Sequence, residues 1–428
     1  MRCLYLSAFI GCLVADLAVA ENGSLPIGSS AASRALGGTG IAAFTGVVDS
    51  EYKNPATLSQ LPKASGQAEL SLGFFSVDAQ AQQKVTNPVL QGDDTGRYQS
   101  SATRLVAPTA IGVAYRVTED LALALGASAF GSQLDYGNHR GVSGVKRTTS
   151  QINLMLGASY QLCPEVSIGA TLIGQSFASK SSLLYSKAQF ARTEWNSSGK
   201  AGSASIGALY SVTPMLTVGI SYMLPKTAKI KGFLDADTYN ADYSPNTVVN
   251  HSDLKVSDPK EVGIGTQLRL TTEWTVLADF KRLLWASDAF YKDLGWRDQN
   301  IYAVGSAYTT GAHTWKAGYN YAKMPMPKSL SGDNGLEPVR IQGHLLSKLN
   351  VAILNTLVLP ATSEQSFTLG SSHALTDSVT VNTALVYNPP SSVTRSGVLQ
   401  EPTGAVGTYN YEAKLSLTAL TLDATIKF

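Results

Sequence analysis

Hydrophobic and polar residues alternate along much of the chain with a period of two residues. In LALALGASAF (121–130), the three leucines share one face, and alanine, glycine and serine share the other. QINLMLGASY (151–160) and EWTVLADFK (273–281) follow the same rule. Such alternation predicts β-strands whose two faces meet different surroundings.

Short and long connections alternate between these strands. Six tight turns, among them VTED (117–120) and LCPE (162–165), are separated by long polar connections such as 233–258 and 324–363. This regular alternation predicts an even number of antiparallel strands joined up and down. The fourteen predicted strands are 66–79, 102–116, 121–134, 149–161, 165–178, 201–212, 215–231, 260–270, 273–285, 299–309, 312–323, 365–375, 378–388 and 411–428.

Composition separates two all-β architectures, a soluble sandwich and a membrane barrel. No segment reaches 18 consecutive apolar residues, so the sequence contains no transmembrane helix. Only 15% of the residues are charged, whereas a soluble globular protein has about 25%. Most predicted strands are long enough to cross a bilayer, which takes roughly 9–11 residues. We therefore expect a 14-stranded antiparallel transmembrane β-barrel, in which closure pairs every backbone group that faces lipid.

The first twenty residues have the organisation of a secretory signal peptide. Arg2 supplies a positive start, residues 4–14 form a short apolar core, and Ala18-Val19-Ala20 is an A-x-A cleavage site. Gly11-Cys12 leaves a lipoprotein signal as an alternative. With residues 1–20 removed, Cys163 is the only cysteine, so no intramolecular disulfide can form. An exported barrel of this kind is expected in the outer membrane of a Gram-negative bacterium, as a multi-pass protein.

The carboxy-terminal strand carries two apolar patterns of opposite parity. Leu415 and Leu417 fall on one face, whereas the apolar residues from Leu420 to Phe428 fall on the other. A β-bulge near Ala419 or a later start of the strand would reconcile the two patterns. Tyrosine and tryptophan near predicted strand ends, Trp285 among them, fit interfacial belts, although tyrosine is also a good strand former.

Residues 21–64 precede the first strand and are rich in glycine, alanine and serine. SSAASRALGG (29–38) predicts a short helix that begins at a serine cap and ends at Gly37. Because a fourteen-stranded barrel is wider than its own side chains can fill, this segment is expected to fold inside the lumen as a plug. The alternative is a disordered periplasmic tail, but apolar residues such as Leu58 and Leu61 argue against pure disorder.

GSSAASRALGGTGIAAFTGVVDSEYKNPATLSQL resembles the amino-terminal hatch of the FadL family of outer-membrane transporters for hydrophobic compounds. That hatch ends in an Asn-Pro-Ala motif, matched here by Asn54, Pro55 and Ala56. Segments 222–232 and 291–327 also resemble the family. After the signal peptide (1–20), the chain is expected to form two parts, an amino-terminal hatch (21–64) and a transmembrane barrel (65–428).

Diffusive uptake of hydrophobic compounds, such as long-chain fatty acids or aromatic hydrocarbons, is the function that the resemblance implies. The partners would be a hydrophobic small molecule and the lipids of the outer membrane, with the protein as a monomer. The connection 324–363 is longer than the family predicts, and the loops near 132–147 and 181–199 do not align with the family's outer ligand groove.

The resemblance also suggests two sites outside the hatch. Lys292 precedes Gly295-Trp296-Arg297-Asp298, where the family places a lysine that meets the head group of the ligand; a loop lysine in solvent is the alternative. In the third strand, where the family has an inward kink that opens a lateral exit, Gly131 is the candidate kink residue, since glycine weakens a strand interior. An ordinary strand end is the alternative for Gly131.

Other functional classes find little support in the sequence. The five histidines show no metal-ligand spacing, so we expect no metal and no cofactor, and a net charge of +2 does not suggest nucleic-acid binding. Ser372-His373 would point to opposite faces of a strand, so we do not expect an enzyme. The main alternative function is a general diffusion porin for small polar solutes.

Overall fold

The structure is a computed structural model that describes residues 25–87, 92–95, 99–136, 146–184, 192–230, 236–239, 245–249, 254–360, 362–400, 402, 404 and 406–428. The predicted signal peptide and the Gly11-Cys12 alternative lie outside these residues.

Fourteen long antiparallel strands form a closed barrel in the described part of the chain. Each strand pairs with its neighbours in sequence, and the last strand pairs with both the first and the thirteenth, which closes the ring. The fold class predicted from the sequence is therefore confirmed. The strands are β1 Gly66–Asn87, β2 Gln99–Arg116, β3 Leu121–Asp135, β4 Lys146–Cys163, β5 Val166–Leu184, β6 Arg192–Ser211, β7 Leu216–Met223, β8 Lys260–Arg269, β9 Trp274–Leu284, β10 Gln299–Thr310, β11 His313–Ala322, β12 Gln365–Ala374, β13 Val379–Gln400 and β14 Val406–Lys427.

Shorter strands lie at the rim of the barrel that carries the long loops, called the long-loop rim. A strand at Gly92–Thr95 adds to β1, and one at Ser329–Asn334 adds to β13 in parallel. Three hairpins pair separately from the barrel sheet. Their strands are Lys226–Ile230 with Leu254–Asp258, Ala236–Tyr239 with Pro245–Val249, and Pro338–Ile341 with His344–Ser347.

Several strands run beyond the ends predicted from their apolar pattern. β1 ends at Asn87 and β13 at Gln400, each several residues past the expected boundary. The predicted strand 215–231 is instead divided at Leu224-Pro225 into β7 and Lys226–Ile230. The extensions lie on the long-loop side, where inward-facing residues such as Ala81, Val393 and Leu399 are buried in the apolar cluster of the lumen.

Apolar side chains project from the outer surface of the barrel. Leu125, Leu154 and Leu172 have 60%, 62% and 65% of their surface exposed, and they alternate with inward-facing residues. A closed barrel with an apolar outer band is stable in lipid rather than in water. Among the helices that the structure describes, none combines the length and the apolar composition needed to span a membrane.

β14 does not contain the bulge or the late start that its two apolar patterns suggested. It runs from Val406 to Lys427 in a continuous register with β1. Leu415 and Leu417 are buried in the lumen, whereas Leu420 and Leu422 are exposed outside. Both patterns are real, because the lumen near the long-loop rim is itself apolar and both faces of β14 therefore carry leucine.

The sheet is interrupted between β2 and β3 on the long-loop side. The pairing of these strands runs from Arg116↔Ala122 only as far as Ala110↔Ser128. Beyond that point β2 continues to pair with β1, and β3 continues to pair with β4 as far as Asp135. In this part of the described chain, β2 residues 99–109 and β3 residues 129–135 therefore leave a gap in the wall.

The amino-terminal segment, residues 25–64, lies inside the lumen. Helix α1 (Ala31–Ala35) contacts β11 to β14, and helix α2 (Val47–Lys53) contacts β1 to β6. A 3₁₀ turn at Pro55–Gln60 follows. Ser30 caps α1 by accepting a hydrogen bond from the Ser33 amide, and Gly37 follows with a positive φ of 68°, as its sequence predicts.

The long connection 324–363 folds over the wide rim of the barrel. After its hairpin come helix α4 (Lys348–Ile353) and a π-helical turn (Leu354–Val358). A shorter helix, α3 (Ala289–Asp293), follows β9. Leu357 is fully buried, so the connection is a packed cap rather than an extended loop.

Candidate functional site

Glycines on β2 to β8 and on β10 to β12 of the barrel wall contact the amino-terminal segment. A Cβ atom at Gly169 would overlap the backbone of Pro55 and Ala56, and one at Gly219 would overlap the carbonyl of Ile41. Larger residues at these points would hold the segment away from the wall. The glycine belt, defined as the wall glycines whose Cβ would lie 3.0 Å or less from this segment, comprises Gly112, Gly126, Gly157, Gly169, Gly207, Gly219, Gly263, Gly265, Gly305, Gly318 and Gly370.

Two carboxylates of the wall hold backbone amides of the segment. Asp279 Oδ2 on β9 accepts hydrogen bonds from the Gly40 and Ile41 amides at 2.8 and 3.1 Å. Glu69 on β1 accepts from the Val47 and Val48 amides at 2.8 and 2.7 Å. These two amides open helix α2, so Glu69 pairs N–H groups that the start of a helix leaves without a partner. The wall thus fixes the segment at two distant points.

A second set of polar contacts folds the segment on itself. Asp49 accepts from the Ser29 and Ser30 amides at 3.0 and 2.8 Å, and lies 3.5 Å from Lys53 Nζ. Lys53 also donates to the Ser33 hydroxyl and, at 2.8 Å, to the Gly38 carbonyl. Burial raises the pKa of Asp49. The charge of Lys53 and the hydrogen-bond donors lower that pKa by a larger amount, so its net shift is downward. The segment is therefore a compact unit held together by a buried ion pair.

Asn54, Pro55 and Ala56 form the junction between α2 and the 3₁₀ turn. Asn54 Oδ1 accepts from the Ala56 amide at 3.1 Å, which caps the turn, and Pro55 occupies its first position. Asn54 Nδ2 donates to the Ile41 carbonyl at 2.7 Å and to the Ala208 carbonyl of β6 at 3.2 Å. Ala56 is fully buried against Gly169, where a larger side chain has no room. Each residue of the Asn-Pro-Ala motif therefore has its own structural role.

Glu51 is the buried carboxylic acid of helix α2 that lies against the glycine belt. Its carboxyl group lies beside Gly126 and Gly157, and the Ser205 hydroxyl donates to its backbone carbonyl at 3.0 Å. Burial raises the pKa of Glu51 to about 8, because the charged form loses its hydration in this position. Near neutral pH the side chain is therefore mostly neutral.

Tyr52 links the segment to the interrupted part of the wall. Its ring meets Phe130 of β3 edge-on, with ring centroids 6.4 Å apart. Its hydroxyl accepts a hydrogen bond from Lys226, which also pairs with Asp258 at 3.2 Å. Ala129 and Phe130 are both buried although they are adjacent in β3, at the point where β3 no longer pairs with β2. The segment thus contacts the wall beside the gap.

An aromatic cluster lies against the cap. Trp285 lies 4.6 Å from Tyr291 and 5.0 Å from Trp296 between ring centroids. Trp296 Nε1 donates to Asn355 of the cap at 3.0 Å, which satisfies its buried N–H group. Trp285 is fully buried in this cluster and is therefore not an interfacial residue as its place near a strand end suggested.

A small cavity lies between the amino-terminal segment and the barrel wall. It is bordered by Ile27, Tyr52, Phe130, Leu283 and Ile301, among others, and has a volume of about 20 Å³. A water molecule needs about 10–15 Å³ by the same measure, so neither an aromatic hydrocarbon nor a fatty acid fits. This part of the lumen is therefore closed to such solutes.

Lys292 and Gly131, the other two site residues predicted from the sequence, lie in different parts of the molecule. The side chain of Lys292 is exposed on helix α3, while its neighbour Tyr291 is buried in the aromatic cluster. Gly131 lies on β3 within the gap, three residues beyond Ser128, the last residue of β3 that pairs with β2. The loops near 132–147 and 181–199 lie partly outside the described residues, at 137–145 and 185–191.

Sequence reasoning did not identify several residues that hold the segment. Asp279 lies on β9 and Glu69 on β1, and both side chains are buried at inward-facing positions. In the sequence, the residues of the glycine belt are glycines on the inward-facing side of strands in which apolar and small or polar residues alternate. An acidic residue or a glycine at an inward-facing strand position is the sequence feature that these sites share. The part of the chain that each one contacts cannot be read from the sequence.

Comparisons with known proteins agree with this architecture. The family model described as "Outer membrane protein transport protein (OMPP1/FadL/TodX)" matches residues 13–331. The Pseudomonas putida toluene transporter TodX shares 17% identity and a TM-score of 0.66, with 94% of this chain and 99% of that chain covered. A Pseudomonas aeruginosa FadL homologue shares 14% identity and a TM-score of 0.68, with 96% and 99% covered.

A third solved structure, the Ralstonia pickettii toluene transporter TbuX, shares 16% identity and a TM-score of 0.60, with 92% of this chain and 98% of that chain covered. At these identities the structures support the fold alone. No curated protein matches the sequence significantly. The family model spans most of the chain, including the segment inside the lumen. The chain is therefore a member of the OMPP1/FadL/TodX family of outer-membrane transport proteins.

Proposed function

We propose that this protein takes up hydrophobic compounds, such as long-chain fatty acids or aromatic hydrocarbons, by diffusion through a barrel that its amino-terminal hatch keeps closed. The observation that carries the proposal is the packing of the hatch against the glycine belt, where a cavity between hatch and wall has a volume of only about 20 Å³. Similar solved structures are described as toluene transporters.

The route that we propose enters below the cap and leaves sideways. The aromatic cluster and the apolar inner face of β14 offer surface on which apolar solutes gain free energy relative to water. The gap between β2 and β3 would release the solute into the bilayer rather than into the periplasm, with Gly131 at the bend. Tyr52, which contacts Phe130 beside the gap, would couple hatch movement to this exit.

Lys292 is proposed as a cationic group that meets the carboxylate of a fatty acid near the mouth. Its exposure suits a first encounter in water, and helix α3 carries it directly beside the aromatic cluster. Exchange of Lys292 for alanine should weaken fatty-acid binding severalfold and leave neutral hydrocarbons unaffected. Binding of both classes in purified protein is the measurement, and equal losses would contradict the role.

A general diffusion porin is the competing function. Uptake of radiolabelled hexadecane and toluene in a strain lacking the gene, with and without the protein restored, tests the proposal directly. Liposome swelling with arabinose is the companion assay. We expect restored hydrocarbon uptake and little swelling, whereas fast swelling without hydrocarbon uptake would favour the porin.

A further inference from the structure

The cap, the connection 324–363, crosses the ring of strands from one side to the other. It leaves β11 and returns to β12, yet its Val358 carbonyl accepts a hydrogen bond from Arg147 Nη1 of β4 at 2.9 Å. In the ring of fourteen strands, β4 lies seven strands from β11, which is half-way round the barrel. The cap therefore extends across the mouth at the long-loop rim.

The two halves of the cap are held in different ways. The first half is bonded to the wall through its backbone, since Ser329–Asn334 pairs with β13 and the Thr394 amide donates to the Lys328 carbonyl at 2.8 Å. The strands of the second half, Pro338–Ile341 and His344–Ser347, pair only with each other among the described strands. Helix α4 and the π-helical turn follow them. The second half therefore depends on side-chain contacts to stay in place across the mouth.

Gln342 makes one group of these contacts at the tip of the hairpin. Its backbone amide donates to Asp293 Oδ2 of helix α3 at 2.7 Å. Its side-chain oxygen accepts from the Lys255 amide at 3.0 Å, and its side-chain nitrogen donates to the Lys255 carbonyl. The glutamine amide, with one donor and one acceptor, thus pairs with Lys255 as a neighbouring strand would. Gln342 also has a positive φ of 48°, a strained conformation that persists where surrounding contacts hold it.

Asn355 makes the second group of contacts, from the π-helical turn. Its Nδ2 donates to the Leu294 carbonyl at 2.8 Å, and its Oδ1 accepts from Trp296 Nε1 at 3.0 Å. Single turns of π-helix are frequent at functional sites. Leu357 of the same turn is fully buried in the apolar cluster of the lumen, together with Trp285 and Trp296. A hydrophobic solute that approaches this cluster from the long-loop rim therefore meets the cap first.

We propose that the cap is a lid that lifts to admit hydrophobic solutes, with Gln342 and Asn355 as the positioning residues that hold it closed. The lid bends between its first half, which stays paired with β13, and its second half, which reaches across the mouth. This assignment rests on the proposed uptake function and adds an outer barrier to it, separate from the hatch. Gln342 and Asn355 act by fixing the lid and need not touch the solute.

A disulfide between the lid and helix α3 tests whether the lid must move. Asp293→Cys with Gln342→Cys, whose native groups lie 2.7 Å apart, is introduced in a Cys163→Ser background. The control is Arg340→Cys with Leu345→Cys, two exposed residues directly opposite each other in the hairpin, which joins the hairpin only to itself. We expect oxidation to reduce hexadecane uptake severalfold in the first pair and not in the control, and reduction to restore it.

A buried cysteine reports how often the lid opens. Ala352→Cys, in the Cys163→Ser background, places a thiol on the face of α4 that is only 6% exposed. Its rate of labelling by a water-soluble maleimide in the purified barrel follows the open fraction. Adding Gln342→Ala or Asn355→Ala should raise this rate about 10-fold, since each removes two hydrogen bonds of a side chain. Adding Leu345→Ala, an exposed change in the same hairpin, should leave the rate within about twofold.

The two measurements decide the assignment together. Full hexadecane uptake by the completely oxidised lid pair would overturn it. If that pair does not oxidise, the labelling rates decide, and equal rates for the Gln342→Ala, Leu345→Ala and unmodified reporters would overturn it as well. Labelling needs no transported solute, so a lid that opens as expected in a protein that restores no hydrocarbon uptake would reject the proposed function and not the lid.

Discussion

At the scale of single residues, the wall glycines and a few acidic side chains of the wall hold the amino-terminal segment in place in the lumen. Asp279 and Glu69 each accept two backbone amides, which satisfies donors that would otherwise be buried without partners. Asn54 bonds within the turn, to the hatch loop and to the wall at once. None of these contacts depends on a long side chain, so the segment can lie close to the wall.

Glu51 should make the closed state sensitive to pH. Its pKa in the folded protein is about 8, above its ordinary value of 4.5. The closed state is therefore favoured while Glu51 is protonated, and loses stability as the pH rises from 4.5 through about 8. Glu51→Gln should remove this part of the pH dependence. Channel openings in planar bilayers between pH 5 and 9 measure it, and identical profiles for wild type and variant would contradict the assignment.

The glycine belt gives a matched pair of substitutions on one strand. Gly169→Ala places a methyl group against the backbone of Pro55 and Ala56, which cannot move aside as a flexible side chain could. We expect a destabilisation of about 1–3 kcal/mol, as for other overpacked sites, together with faster arabinose influx into liposomes. Gly174→Ala, also on β5 but with its nearest neighbour at 4.0 Å, should behave like wild type. Equal swelling rates would argue against a tight seal at the belt.

At the scale of elements, β3 has two halves with different partners. As far as Ser128 it is an ordinary barrel strand, and beyond Ser128 it keeps only β4. Thr109 of β2 is skipped in the register with β1 and donates instead to the Ser29 carbonyl at 2.8 Å. The wall therefore changes its pairing where it contacts the hatch.

Gly131→Val should impair the lateral exit if Gly131 is the kink residue. A β-branched side chain favours a regular strand, so the bend of β3 should become less favourable and hexadecane uptake should fall severalfold. Gly174→Val, on the outer surface of β5, is the control for loss of a strand glycine. Unchanged uptake in Gly131→Val would mean that this glycine marks only an ordinary strand end.

At the scale of the whole molecule, the ring of fourteen strands encloses the amino-terminal segment. Under the proposed uptake function, this segment is the hatch that would have to move for solutes to pass. Ala35 of α1 and Ala384 of β13 lie in one buried cluster, which offers a place to lock the hatch to the wall.

A disulfide that joins the hatch to the wall, introduced by Ala35→Cys together with Ala384→Cys in a Cys163→Ser background, should abolish hydrocarbon uptake. Reduction should restore uptake, because the barrel is unchanged. The control is Ser371→Cys with Thr383→Cys, whose native hydroxyls lie 3.0 Å apart across two wall strands and which does not involve the hatch. Full uptake by the oxidised hatch-to-wall variant would show that the hatch need not move at α1.

The sequence by itself determined the number of strands, their order and the direction of their apolar faces. Alternation with period two, a turn signal at every second connection and the short helix before Gly37 are local properties, so they can be read from neighbouring residues. The family resemblance added the hatch and its Asn-Pro-Ala motif.

Only the tertiary structure decided which distant residues meet. Hydrogen bonds join residues that are far apart in the chain: Asp279 with Gly40, Trp296 with Asn355, and Arg395 with the Lys328 carbonyl. The length of the strands beyond the bilayer and the gap between β2 and β3 depend on pairing across the ring. Such contacts are set by closure of the barrel around the hatch, and no local pattern of apolar and polar residues encodes them.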